Sequence, residues 1–405
     1  METETGAANR ILIRGASRIV TPIEEMTSAA IIIEGGRIAW LGPAVQLREL
    51  EVDRVLDVGG LVVLPGFIDL HVHGGGGYEV IEGTTESLLG VAQAHARFGT
   101  TAFLATTASF PWPEILATAR AVRRMTDRDL AGAQILGLHL EGPFINEQRR
   151  GAHPRDFLLA PTSTLLAEIE RDAGEALRMV AVAPELWPAD LLQSLAEQNV
   201  VVALGHSMAS YEEARRAIEA GASHAIHTFN ATVPFHHRHP GLIGAVLTSD
   251  EVTAEVIPDG VHVHPAAIRL LLRCKGMNRT VLVTDATSAA GLPDGVYKVL
   301  GQTTTVSERS VRLADGTLAG SVLTMNQAVA NMCRFAGIPL LQAVAMATLN
   351  PARVVKVQSR KGTLRVGMDA DLIAVDEDLN VHLTLVGGRI VYQSADCRIR
   401  VTCNT

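Results

Sequence analysis

Residues 65–74 read PGFIDLHVHG: an apolar run opens at Phe67 and closes on His71-Val72-His73. Strand side chains alternate with a period of two, so both imidazoles project to one face and Val72 to the other. Seven further short apolar runs follow, at Thr101–Thr107, Ile135–Glu141, Met179–Ala183, Val200–Leu204, Ala222–His227, Thr253–Ile257 and Thr280–Thr284. Most are apolar on both faces, as parallel strands covered by helices are. The spacers carry helical patterns, for example Thr84–Phe98, Ser210–Ala220 and His264–Cys274. Eight strand-then-helix units predict an α/β fold, a (β/α)8 TIM barrel. A doubly wound sheet is the other architecture with this rhythm. Residues 295–318 break the alternation and read as an inserted hairpin, followed by helices over Val322–Ala336 and Leu340–Leu349.

Outside the barrel the texture changes. ILIRGASRIV (11–20), AAIIIEGGRIAWLG (29–42) and RVLDVGGLVVLPG (54–66) are β-branched runs between Gly-containing turns, and DADLIAVD (369–376) and VHLTLVGGRIVYQ (381–393) match them. Residues 1–64 and 359–405 are therefore expected to form one small β domain beside a barrel of residues 65–358. Composition narrows the class further. The 405-residue chain is 47% hydrophobic with a net charge of -8, which favours a large core and disfavours nucleic acid. No apolar run reaches the roughly 18–20 residues a bilayer span needs. The N-terminal METETGAANR has no adjoining apolar core, so it does not read as a signal peptide. Cys274, Cys333, Cys397 and Cys403 are scattered, without metal-type spacing, and read as reduced thiols. A cytoplasmic enzyme without a membrane or nucleic-acid partner is expected.

Barrel active sites lie at the C-terminal ends of the strands. The first run ends in His71 and His73, the third in Glu141, the fifth meets His206, the sixth ends in His227 and the eighth leads into Asp285. A single histidine at a strand end is usually a hydrogen-bonded loop residue, and His95, His224 and His382 are read so. An HxH joined by Glu, His, His and Asp at later strand ends is a metal-binding set. Neutral imidazole and carboxylate suit zinc first, with iron, manganese or cobalt as alternatives, one or two ions per subunit. Such an ion lowers the pKa of a water to about 7 and so prepares it to attack an amide. Asp285 is the candidate acid/base that moves the proton. His236-His237-Arg238-His239 is dense in donors, and the Arg238 fork matches a phosphate.

These residues resemble a known family. PGFIDLHVHG with GTLRVGMDADLIAVD is similar to the amidohydrolase superfamily. LHLEGPFIN, RGAHP, VALGHS, GASHAIHTFNA, HHRHPGLIGA, IPDGVHVHP, LVTDATSAAG and GTLAGSVLTM, in that order, resemble the N-acetylglucosamine-6-phosphate deacetylases. The resemblance implies metal-dependent hydrolysis of an N-acetyl group from a phosphorylated amino sugar. It implies Glu141, His206 and His227 as metal ligands, His71 and His73 as ligands of a second ion, and Asp285 as the acid/base. It further implies substrate contacts from Ala152, His153, Asn230, Ala231, Arg238, His262, Leu318, Ala319 and Gly320. The family's phosphate loop reaches into a neighbouring subunit, which implies a homodimer; here Thr232 stands where the family pattern has Met. The same chemistry on N-acetylgalactosamine 6-phosphate differs by one hydroxyl epimer, and no residue separates the two. A cyclic-amide hydrolase would carry a bridging modified lysine, which MVAVA (179–183) lacks. A non-catalytic barrel would have lost ligands, and none is missing.

Overall fold

The computed structural model describes residues 10–47, 51–395 and 399–403. Cys397, the side chain of Cys403 and the first nine residues lie outside that set. Eight strands hydrogen-bond in sequence order in one parallel sheet: β1 (Phe67–Val72), β2 (Thr100–Thr106), β3 (Gln134–Leu140), β4 (Leu177–Val182), β5 (Val201–Leu204), β6 (His224–Ala225), β7 (Thr253–Val256) and β8 (Thr280–Leu282). The sheet closes at its C-terminal rim. Asp285 N donates to His71 O at 3.0 Å, and His73 N donates to Ala286 O at 2.9 Å. The expected TIM barrel is therefore present. Helices cover its outside, and every residue of β2 is buried, which is why its sequence shows no polar alternation.

Local chemistry sets the helix starts. Thr84 caps the helix Thr85–Ala96 and Ser210 caps Tyr211–Glu219, each in a reciprocal capping box. Three details differ from the reading above. The sixth strand spans only His224–Ala225, because the chain then turns out of the ladder toward His227. The insertion after β8 is a meander of four strands, Gly295–Val299, Gln302–Ser307, Ser310–Arg312 and Leu318–Ser321, since Glu308-Arg309 adds a second reversal at positive φ and the turn at Gly316 a third. The last helix breaks at Thr348, and Leu349–Val354 follows as a separate helix.

Both chain ends contribute to each of two further sheets. One orders the strands Arg389–Gln393, Val381–Val386, Leu372–Val375, Val62–Pro65, Arg18–Val20 and Glu25–Thr27. The other orders Arg400–Cys403, Arg54–Asp57, Arg10–Arg14, Ala29–Glu34 and Arg37–Pro43. They share a core of their own that includes Ile13, Ile31, Leu56, Val63, Leu372 and Leu383. No helix among the described residues is long and apolar enough to cross a membrane.

One buried side chain joins the first and last barrel strands. Asp69 is fully buried and accepts from Thr284 Oγ1 at 2.6 Å, His71 N at 3.2 Å and Thr284 N at 3.3 Å. Burial pushes its pKa up to about 7 against the pull of these bonds. Asp69→Ala should lower stability by on the order of 1–3 kcal/mol for each donor left unpaired. Asp69→Asn, which keeps one acceptor, should lose less. Equal denaturant midpoints for the two variants would show that the bonds do not carry this closure.

Candidate active site

The strand ends place His73, Glu141, His206, His227 and Asp285 on one cleft of about 410 Å³ at the C-terminal rim, with the fully buried His71 behind Glu141. His71 and His73 leave β1 on the same face. Glu141 follows β3, His206 follows β5, and His227 and Asp285 follow β6 and β8. Three of them, His206 (φ 46°), His227 (φ 24°) and Asp285 (φ 52°), hold left-handed backbone, as does Ala231 (φ 50°) nearby. Such backbone costs about 1–3 kcal/mol per residue and persists where the surroundings over-determine it. Here it turns the chain sharply off each strand and aims the side chain inward.

Glu141 is the hub. Its Oε1 lies 3.1 Å from His227 Nε2, 3.2 Å from His206 Nε2 and 3.3 Å from His71 Nε2. Its Oε2 lies 3.1 Å from His73 Nε2 and 3.4 Å from His153 Nε2. His206 Nε2 and His227 Nε2 face each other at 3.1 Å. Ligand atoms at 2.0–2.1 Å around a tetrahedral zinc lie about 3.3 Å apart. The Glu141–His206–His227 triangle has nearly those edges. A second group, His71, His73 and Asp285, adjoins it: Asp285 Oδ1 is 3.3 Å from His73 Nε2 and 3.7 Å from His71 Nε2.

The donor chemistry supports the same assignment. His206 Nδ1 lies 2.7 Å from Arg149 O, which only accepts, so the proton sits on Nδ1 and Nε2 presents a lone pair. His71 Nδ1 donates likewise to Glu255 Oε2 at 3.0 Å, and its buried Nε2 has no hydrogen-bond partner. His153 is the opposite. Its Nδ1 accepts from Ser109 N at 3.0 Å, with Ser109 Oγ at 2.9 Å. A backbone N–H can only donate, so the His153 proton sits on Nε2 and points into the cleft. Burial, against the attraction of Glu141, lowers the His153 pKa to about 4 and keeps the ring neutral. His153 is thus a donor toward substrate and a poor ligand, although it stands within reach of Glu141 and His206.

The charge balance calls for a cation. Burial opposes ionisation of Glu141, but the surrounding imidazoles hold its carboxyl well below the usual range. Burial likewise opposes protonation of His73, yet bonds from Asp285 and Glu141 push it up to about 9. Asp285 also stays below the ordinary carboxylate range, because His71 and His73 outweigh its burial. The lone pairs and carboxylates hold positive charge in whatever form it is supplied, and these residues fit a divalent ion.

Among the expected substrate contacts, Ala152, His153, Asn230, Ala231, His262, Leu318 and Gly320 line the cleft. His262 Nδ1 is held by Asp259 Oδ2 at 2.6 Å. Gly320 packs behind Asp285, where a Cβ would meet Thr287 and the Asp285 carbonyl. Two expected residues are placed elsewhere. Ala319 turns into the small core under the meander with Ala108 and Ala289. Arg238 is exposed, does not line this chain's cleft, and has Nη1 2.9 Å from His237 Nε2. The sequence reading passed over Ser109, Glu255 and Arg312. Glu255 is fully buried and also meets His224 Nε2 and His227 N, each at 3.0 Å. A carboxylate inside the otherwise apolar run Thr253–Ile257 was the available signal.

The amidohydrolase family model matches residues 62–391. An N-acetylglucosamine-6-phosphate deacetylase of Lysinibacillus sphaericus is 38% identical over 369 residues, 89% of this chain and 93% of that one. An N-acetylgalactosamine-6-phosphate deacetylase of Escherichia coli O157:H7 is 39% identical over 377 residues, 93% of this chain and 98% of that one. The chain belongs to the N-acetylglucosamine-6-phosphate deacetylase family of amidohydrolases. The crystal structure of the family's Pasteurella multocida enzyme superimposes with a TM-score of 0.89 at 31% identity, covering 95% of this chain and 100% of that one. The rim of this deacetylase-family barrel thus holds a His/Glu/Asp cluster suited to a divalent metal.

Metal binding should displace protons. His73, with a pKa near 9 in the metal-free protein, is protonated at pH 8 and must release its proton to become a ligand. Filling both positions with zinc at pH 8 should release at least one proton per chain, read as a buffer-dependent heat in titration calorimetry. The release should fall as pH passes 9 and be smaller in His73→Asn, where His71, its pKa raised against its burial by Glu141 and Asp285, remains to give up a proton. Heat independent of the buffer would remove His73 from the ligand set.

Proposed function

We propose that this chain hydrolyses the N-acetyl group of N-acetylglucosamine 6-phosphate, giving glucosamine 6-phosphate and acetate. The observation that carries this reading is the arrangement around Glu141. Lone-pair nitrogens and an ionised Asp285 face one point, and the His153 Nε2–H donor is held beside it. Glu141, His206 and His227 would hold one divalent ion, zinc in our reading, and His71, His73 and Asp285 offer a second position. Bound there, the ion supplies Lewis acidity toward the acetyl carbonyl and lowers the pKa of a water.

The chain's own residues complete the reaction. Asp285 Oδ1 takes a proton from the attacking water as its oxygen bonds to the acetyl carbon. His153 Nε2–H donates to the carbonyl oxygen as negative charge develops there. Asp285 then delivers the proton to the sugar nitrogen, the C–N bond breaks, and acetate and the free amine leave. Ser109 fixes the His153 tautomer, and Glu255 and the Arg149 carbonyl fix those of His71 and His206. Asn230, Ala231 and His262 line the cleft where the sugar phosphate would sit. Arg238, exposed on its own subunit, would reach the cleft of a second copy in a homodimer. We place the reaction in the cytoplasm.

The relative from Escherichia coli O157:H7 supports a second reading, the galacto epimer of the same substrate. Acetate release from both phosphosugars and from unphosphorylated N-acetylglucosamine, with metal content measured on the same sample, separates the readings. Full turnover after complete metal removal would overturn both.

Asp285→Asn keeps the side chain's size but removes the base. It should lower kcat by about 10²–10⁴ while an ion at Glu141, His206 and His227 is retained. Near-wild-type kcat with metal bound would assign the proton transfer to another group. Loss of all bound metal together with activity would make Asp285 chiefly a ligand.

A further inference from the structure

The meander between β8 and the following helix brings a cation to the cleft that the reading so far leaves unused. Arg312 ends the strand Ser310–Arg312 and pairs in register with Leu318, itself a cleft residue. Among the described residues lining the cleft, Arg312 is the sole Arg or Lys. Its Nη1 donates to Gly316 O at 2.8 Å, which anchors the guanidinium. That bond uses one of five donors and leaves the remainder of the fork free. No carboxylate among the described residues forms an ion pair with Arg312, unlike Arg120, Arg155 and Arg360 on the same molecule. Arg312 lies close enough to His262 for its charge to act on that ring. Two nitrogen-donor groups, Arg312 and His262, therefore line the same cleft. Arg238, the other candidate, stays outside it.

We propose that Arg312 is a phosphate-binding residue supplied by the same subunit, which with His262 receives the 6-phosphate of the substrate. The proposal rests on the phosphosugar reading above. It means that phosphate recognition is built within one chain, and that an arginine from a second copy would add to it. The chemistry is that of a guanidinium fork meeting a dianion: one donor is spent on the Gly316 carbonyl to fix orientation, and the others face the phosphate oxygens. A sugar lacking the phosphate would leave Arg312 hydrated at the cleft mouth, at little cost.

The test compares wild type, Arg312→Ala, Arg312→Lys and Arg238→Ala on N-acetylglucosamine 6-phosphate and on N-acetylglucosamine, in metal-loaded protein of verified fold. Arg312→Ala should raise KM for the phosphosugar about 10- to 100-fold, the range for a charge-assisted hydrogen bond. It should leave kcat/KM on the unphosphorylated sugar within about threefold. Arg312→Lys should recover part of the loss, since the charge remains and the fork does not. Inorganic phosphate should compete with substrate in wild type and much less in Arg312→Ala. Should Arg312→Ala fold poorly, Arg312→Gln gives the same comparison. Equal losses on both sugars, or unchanged phosphate competition, would overturn the proposal and leave the deacetylase reading intact. A wild type that does not prefer the phosphorylated sugar would overturn the phosphosugar reading and this proposal with it.

Discussion

One carboxylate organises the rim of this barrel. Glu141, almost fully buried, faces the Nε2 atoms of five histidines at 3.1–3.4 Å. Taking such a charge out of water costs several kcal/mol unless positive charge answers it. The surrounding fold meets that constraint. The strands deliver the imidazoles, left-handed turns aim them, and buried partners set their protonation. The same constraint explains why the site suits a cation, and why protons accumulate there in its absence.

The histidines divide by what lies behind them. His71 and His206 give their Nδ1 protons to acceptors and turn Nε2 toward the centre. His153 accepts from a backbone N–H and turns a proton toward it. An acceptor set and a donor therefore coexist within a few ångströms in chemically identical side chains. Amide hydrolysis needs this mixture: lone pairs for a Lewis acid, a base for the water, and a donor for the developing oxyanion. The meander after β8 adds Arg312, Leu318 and Gly320 to the cleft lining. Gly320 backs Asp285 where no side chain fits, and Arg312 brings charge to the mouth.

Much of this was legible in the sequence. The eight apolar runs announced parallel strands covered on both faces, which suits a barrel or a doubly wound sheet, and the closing bonds between the last and first strands made it a barrel. The HxH spacing set two imidazoles on one face, because strand geometry has a period of two. The rule that barrel chemistry sits at the C-terminal strand ends then gathered Glu141, His206, His227 and Asp285. These are local properties, readable from neighbours in the chain. The tertiary structure alone decided the rest. Which nitrogen of each histidine carries the proton depends on partners far away in sequence: Glu255 lies 184 residues from His71, and Ser109 lies 44 from His153. Arg238 follows His227 closely in sequence and reads there as serving a neighbouring subunit; in space it is exposed and does not line its own chain's cleft. Arg312 drew no reading of its own within the inserted segment, yet the meander places it among the residues that line the cleft. Proximity along the chain fixes a side chain's face on its own strand; proximity in space, which sets charge and proton position, arises only when the barrel closes.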